Sequence, residues 1–220
     1  MPLDPETSSA NTAPTAQKEI DLRLDLKLIA DMIAPGSRVL DIGCGDGALL
    51  AYLAEHKNVD GRGIEISQGG VNACVAHGLS VIQGDADTDL TNYPDHAFDY
   101  VVLGQTLQAT HQPRQVLEDL VHIGRHAVVS FFNFGHWRTR LSLLVHGRVP
   151  VKSGSIFGWH DSPDIHLCTI LDFVGLCNDL GLTIEKSLSL SRDGNVHTIR
   201  SAGYLANLTG DQAIFLLRRE

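Results

Sequence analysis

Three glycines at alternate positions, Gly43, Gly45 and Gly47, follow the apolar run "RVLDI" and precede the helix-like "ALLAYLAEH". A glycine loop between a strand and a helix lets backbone approach a ligand closely and aims helix N–H groups at it. The stretch "GCGDGA" satisfies the loose dinucleotide pattern G-x-G-x-x-G/A, and Glu65 lies about twenty residues beyond Gly45, where a ribose-binding acid belongs. Alone that match is weak, since any tight strand-to-helix turn favours glycine.

The neighbouring acids discriminate. Asp41 stands two residues ahead of Gly43, and Asp46 lies inside the loop, although Asp46 also suits a helix N-cap. A pyrophosphate there would meet like charge at about 4 kcal/mol per contact at ~4 Å, for an effective dielectric near 20. S-adenosylmethionine carries a sulfonium and an ammonium and no phosphate. Its cationic end can share the loop with Asp41, and its ribose hydroxyls can bond Glu65, with Ile66 next in line. Asp85 and Ala86, in "QGDAD", stand where an adenine amino group would find a carboxylate and a backbone N–H. Gln105 and Thr106 follow a later strand, at the carboxyl edge where open α/β sheets bind ligands. The expected cofactor is S-adenosylmethionine or S-adenosylhomocysteine, held by Asp41, Gly43, Gly45, Gly47, Glu65, Ile66, Asp85, Ala86 and Gln105.

The elements that must position these residues alternate. In "EIDLRLDLKLIADMIAPG", Leu22, Leu26, Ile29 and Ile33 share a helical face until Pro35 and Gly36 stop it. Strands then read at "SRVLDIG", "VDGRGIEIS", "LSVIQGDA", "FDYVVLGQT" and "HAVVSFFNF", with helices at "DGALLAYLAEH", "QGGVNACVAHG" and "RQVLEDLVHI". After the helix "LCTILDFVGLCNDLG", two late strands, "LTIEKSLSL" and "DQAIFLLRR", suit an antiparallel pair joined by a polar stretch. The pattern predicts a doubly wound, mostly parallel, Rossmann-like α/β sheet of seven strands. One domain over residues 19–220 follows a tail, 1–18, expected to be disordered and without the features of a signal peptide. Residues 134–165 read as an irregular insertion, a lid or partner face.

A formal charge of −9 argues against nucleic-acid or anionic-membrane partners. The four cysteines lack C-x-x-C spacing, and of the histidines only His122 and His126 pair at helical spacing, so no metal site is expected. No apolar stretch reaches the ~18 residues of a membrane span, and a cytoplasmic location is expected.

"RVLDIGCGDGALL", "GIEIS" and "GDAD" resemble the class I S-adenosylmethionine-dependent methyltransferases. "LRLDLKLIADMI", "VVLGQTLQAT", "VVSFFNFGHWRTRLSLLVHGRVPV" and "WHDSPDIHLCTILDF" narrow the resemblance to the MetW family of methionine biosynthesis, over residues 20–219. His160 and Asp164 stand where that family tends to have Tyr and Asn. The resemblance implies a methyltransferase-like fold and, as partner in a hetero-oligomer, homoserine O-acyltransferase, which the protein supports or activates. It names no methyl acceptor, and whether its acyl donor is acetyl or succinyl stays open.

Methyl transfer needs a nucleophile held about 3 Å from the sulfonium methyl, often with a base. "GQTLQAT" stands where nucleic-acid amino-methylating enzymes place Asn/Asp-Pro-Pro-aromatic, and there is no Pro-Cys pair. His111, His136, His160 and His166 are conceivable bases, none specified by its surroundings. An active methyltransferase on a small molecule therefore stands as the alternative to an accessory, ligand-binding partner. In "GHWRTRLSLLVHGR", Trp137, Leu141, Leu144 and Val145 make one apolar stripe flanked by Arg138 and Arg140. Tryptophan and arginine dominate interface hot spots, which marks this stripe as a docking face for the acyltransferase; a helix packed on its own sheet is the other reading.

Overall fold

The computed structural model describes residues 22–148, 159–199 and 203–219; the expected N-terminal tail and part of the 134–165 insertion lie outside them. Helix α1 (Leu24–Met32) leads into strand β1 (Arg38–Ile42), helix α2 (Ala48–Lys57), strand β2 (Asp60–Glu65), helix α3 (Gln68–Ala76) and strand β3 (Ser80–Gln83). Strand β4 (Phe98–Gly104), helix α4 (Pro113–Ile123) and strand β5 (Gly124–Phe132) complete the parallel half. The rest comprises helices α5 (Trp137–His146) and α6 (Ile170–Asp179), strands β6 (Leu182–Leu190) and β7 (Val196–Thr198), helix α7 (Tyr204–Thr209) and strand β8 (Gln212–Arg219).

The strands form one sheet in the order β3-β2-β1-β4-β5-β8-β6-β7. The first five pair parallel, and their reversal at β1 puts the ends of β1 and β4 side by side at the switch point, where such sheets open a crevice. β8 enters antiparallel between β5 and β6. The expected antiparallel pair is therefore present. Among the described residues there is one strand more than the seven expected: β7 folds back on the end of β6, pairing Leu188 with Thr198. Its three residues are exposed, so no apolar alternation marks it in the sequence. The turn is made by Gly194 at φ 79°, with Gly194 N–H donating to Ser191 O.

Burial explains why the elements form where they do. The central strands β1, β4 and β5 are covered on both faces and read as near-continuous aliphatic runs. On one face Leu117, Leu120, Phe131, Phe173 and Phe215 pack around α4 and α6; on the other, Ile29, Ile33, Leu49 and Leu53 bring α1 and α2 against Val102 and Val128. Of the face expected of the first helix, Leu22, Ile29 and Ile33 are buried and Leu26 is partly buried, with Leu22 and Ile33 just outside the ends of α1.

One polar residue ties the second half together. Asn133, buried at the end of β5, donates from Nδ2 to Asn207 O (2.9 Å) and Gly210 O (2.8 Å). Its Oδ1 accepts from Gly135 N (2.9 Å) and Ile170 N (3.2 Å), so β5, α6, α7 and the approach to β8 meet on a single amide. Asn133→Ala leaves several buried backbone groups unsatisfied and is expected to cost about 2 to 4 kcal/mol in urea unfolding. A loss below about 1 kcal/mol would show that water replaces these bonds.

Candidate functional site

The glycine loop is a tethered structure. Gly43 N–H and Cys44 N–H both donate to Ile64 O, at 2.8 and 3.2 Å, clamping the loop to β2. Gly43, Gly45 and Gly47 all have left-handed φ, at 71°, 59° and 80°. At Gly43 an added Cβ would run into Thr106 Oγ1, and at Gly47 into the movable end of Leu79, so the left-handed φ, more than packing, reserves Gly47 for glycine. At Gly45 a Cβ would meet no protein atom within 4 Å. Gly45 is thus the place where the loop backbone faces open space. Asp46 Oδ1 accepts from Ala48 N–H, the first residue of α2, at 3.2 Å, but the N-cap position is Gly47, one residue later than the cap expected at Asp46.

Glu65 closes the loop from the next strand. Its Oε2 accepts from Gly45 N–H and its Oε1 from Ser67 N–H, each at 2.9 Å. Held at both oxygens and buried, the carboxylate is fixed in place and still has lone pairs beyond the two it uses. Gly70 is the floor beneath it, since a Cβ there would come within 2.7 Å of the Glu65 Cγ. Ile66 follows with 64% of its surface exposed, an apolar platform beside a fixed acid.

Asp41 is buried at the end of β1, and among the described residues nothing donates a hydrogen bond to its carboxylate. Burial without a partner, with the charge of Glu65 adding to it, pushes the Asp41 carboxyl from 3.8 up to about 7. Beside it lie two buried thiols, Cys44 and Cys74, with Sγ atoms 3.8 Å apart, and burial pushes both up.

The other expected residues lie on the same edge with different local roles. Asp85 Oδ1 accepts from Asp87 N–H and Asp85 N–H donates to Asp89 Oδ2, forming a compact acidic turn after β3. Ala86 is half-buried against the core. Gln105 has φ 58° and donates from Nε2 to Asp25 Oδ2 at 2.7 Å, so its amide reaches toward α1. Asp25, a buried acid bound twice by Arg23, was not singled out from the sequence. It sits within an ordinary amphipathic helix pattern, and its partner Gln105 is 80 residues away, so no local signal marks it.

The apolar stripe expected to be a docking face lies on α5, a helix with no buried residue. Leu144 is 83% exposed, and Trp137, Leu141 and Val145 are exposed beside it. Packing against the domain's own sheet is not what this helix does. The arginines diverge: Arg138 lies over the Trp137 ring, and Arg140 Nε donates to Gly135 O at 2.7 Å. His136 caps the helix, its Nδ1 accepting from Arg138 N–H. Among the described residues no group of three His, Cys, Asp or Glu could hold a metal, and no helix is long and apolar enough to cross a membrane.

Comparison with known proteins bears on this geometry. The family profile described as methionine biosynthesis protein MetW matches residues 23–217. The bifunctional methionine biosynthesis protein MetXA/MetW of Rhodopirellula baltica is 33% identical over 218 residues, covering 95% of this chain and 35% of that protein. Phosphoethanolamine N-methyltransferase 3 of Arabidopsis thaliana is 35% identical over 97 residues, 42% of this chain and 18% of that protein. The chain thus spans about a third or less of the length of these two relatives. Among solved structures, a SAM-dependent methyltransferase from Thermotoga maritima superposes with a TM-score of 0.65 at 15% identity, over 90% of this chain and 88% of that one. A TehB-like SAM-dependent methyltransferase from Corynebacterium glutamicum gives 0.57 at 19% identity, over 91% and 89%. At these identities the likeness is one of fold, the Rossmann-like fold of the class I methyltransferases.

The raised Asp41 carboxyl makes stability depend on pH in a defined direction. Between 3.8 and about 7 the folded protein holds a proton that the unfolded chain has lost, so this group's contribution falls as pH rises through that window. From pH 5 to pH 8 the ligand-free protein should lose about 2 to 3 kcal/mol relative to Asp41→Asn, which cannot ionise. Urea unfolding of both at several pH values measures this; parallel profiles would show that Asp41 does not titrate in that window.

Proposed function

The chain belongs to the MetW family of methionine biosynthesis, and from that premise we propose that it is an S-adenosylmethionine-binding partner of homoserine O-acyltransferase. The observation that carries the ligand is the pairing of an acid-lined glycine loop with open space above Gly45. Asp41 and Glu65 make the loop hostile to a pyrophosphate and suited to a cationic nucleoside. In this reading the sulfonium and ammonium of the ligand lie toward Asp41 and its backbone crosses Gly43, Gly45 and Gly47. The ribose hydroxyls reach Glu65, the adenine rests on Ile66, Asp85 accepts from its amino group, and the Ala86 backbone N–H donates to a ring nitrogen. Gln105 borders the same edge. S-adenosylhomocysteine would occupy the same places without the sulfonium charge.

Support for the partner comes from the bifunctional relative, which holds a MetXA part and a MetW part in one polypeptide. We take the MetXA part to be the acyltransferase. Fused activities are held at high effective concentration, and the separate proteins would need an interface to achieve the same. The exposed stripe of Trp137, Leu141 and Leu144 on α5, with Arg138 and Arg140 at its base, supplies the apolar centre such an interface needs. A ligand made from methionine is a fitting signal for an enzyme at the entry to methionine synthesis.

The test uses purified chain and acyltransferase from one organism. Wild type is expected to co-elute with the acyltransferase and to change its rate of homoserine acylation. Leu144→Glu, folded by thermal melt, is expected to weaken the complex roughly tenfold or more, as removal of an interface anchor does. Gly45→Ala should fold with a strain of only about 1 to 2 kcal/mol and yet lose S-adenosylmethionine binding. No complex with the acyltransferase would sink the partnership; label passing from methyl-labelled S-adenosylmethionine to a metabolite would favour the enzyme reading instead.

A further inference from the structure

On the far side of Gln105 from the glycine loop, the second half of the sheet ends in a cleft of about 360 Å³. Its walls come from the end of β5, the first turn of α5, Asp164, the end of β6 and the start of β8. Phe132, Phe134 and Leu190 make it partly apolar. An adjoining hollow of about 400 Å³ shares Phe132, Leu190, Ser191, Arg192 and Gln212 with it and reaches Asp25 and Gln105.

The charged groups in the cleft are unequally committed. Asp211 is held by Arg192, Nε to Oδ1 at 3.2 Å, and also accepts from Arg192 N–H at 2.9 Å. His136 is buried, which pushes its imidazole down toward the neutral form, and Arg138 and Arg192 act in the same direction against the opposing pull of Asp211. Two charges are left over. Arg138 contacts the Trp137 ring and, among the described residues, has no carboxylate partner. Asp164 likewise has no donor for its carboxylate, and the two are not paired with each other. Ser191 Oγ, at the shared wall, is buried with no hydrogen-bond partner.

Counted over the described residues, the cleft has one cation and one acid without partners, an idle hydroxyl and an apolar wall, a set complementary to a small zwitterion. A plain anion would satisfy Arg138 and be opposed by Asp164; a plain amine would do the reverse. We propose that this cleft binds a free α-amino acid with an apolar side chain, its carboxylate received by Arg138 and its ammonium by Asp164. Ser191 supplies a further hydrogen bond, and Phe132, Phe134 and Leu190 receive the side chain. The volume is at the small end of ligand sites, which suits an amino acid rather than a nucleotide. This site is separate from the glycine loop and does not rest on the reading given to it.

Calorimetric titration of the full chain with L-norleucine, L-leucine and L-methionine tests this. Pentan-1-amine and N-acetyl-L-norleucine serve as counterparts lacking the carboxylate or the ammonium. At least one amino acid is expected to bind, and each counterpart to bind roughly tenfold more weakly or worse. Arg138→Gln and Asp164→Asn should each weaken the amino acid by roughly tenfold while leaving the ligand-free melting temperature nearly unchanged. Saturating S-adenosylmethionine should leave the amino-acid affinity as it was, whether or not the nucleoside itself binds. Absence of binding at about 20 mM, well above the millimolar affinity of even a weak site, would overturn the proposal. So would binding indifferent to both substitutions, or competition by S-adenosylmethionine, which would merge the cleft with the glycine-loop site.

Discussion

Glu65 holds the glycine loop in place. Its two oxygens accept from Gly45 N–H and Ser67 N–H, joining the end of β2 to the loop that follows β1 and to the cap of α3. Without that carboxylate, three left-handed glycines between a strand and a helix would have many conformations available, because each gives up more backbone freedom on ordering than any other residue. With it, the loop is fixed, Gly45 looks into open space, and Ile66 is placed beside the acid. The sheet's reversal at β1 brings Thr106, at the end of β4, against Gly43 from the other side.

The same edge carries a cost in charge. Asp41 is buried next to Glu65 with no donor among the described residues, and burial, with the charge of Glu65, pushes its carboxyl up to about 7. A group in this position is out of balance until a cation arrives. A positively charged ligand end would relieve it, which is the electrostatic reason to prefer a sulfonium nucleoside over a dinucleotide. In the second half of the molecule, Asn133 bonds four backbone groups, sharing Ile170 N–H with Asn207 Oδ1, and so joins β5, α6 and α7.

How much of this could be read from the chain depended on whether the signal was local. The glycines, Asp41 and Glu65 carry their meaning in residue type and spacing, and the structure places them on one edge of one sheet. The alternation of strand and helix up to Phe132 is equally local, since buried parallel strands are aliphatic runs. β7 was not legible because an exposed three-residue edge strand has no apolar face to show. Helix α7 was not legible either: Tyr204, Leu205 and Leu208 are exposed and break the amphipathic pattern that would announce it. Asp25 and Gln105 meet only because the first helix folds across the sheet edge, a contact between distant positions that no window contains. For α5, the apolar stripe is visible in the sequence, and only the fold shows that no described residue buries it.

If Asp41 receives the cationic end of S-adenosylmethionine, proton release on binding measures it directly. Near pH 6.5 the Asp41 carboxyl, raised to about 7, is mostly protonated in the free protein, and a neighbouring cation should ionise it. Calorimetry in two buffers of different ionisation enthalpy should then show on the order of half a proton released per S-adenosylmethionine bound. S-adenosylhomocysteine, without the sulfonium, should release less, and Asp41→Asn should abolish the release. S-adenosylmethionine binding with identical heats in both buffers for wild type would contradict the account and place the ligand's charge away from Asp41.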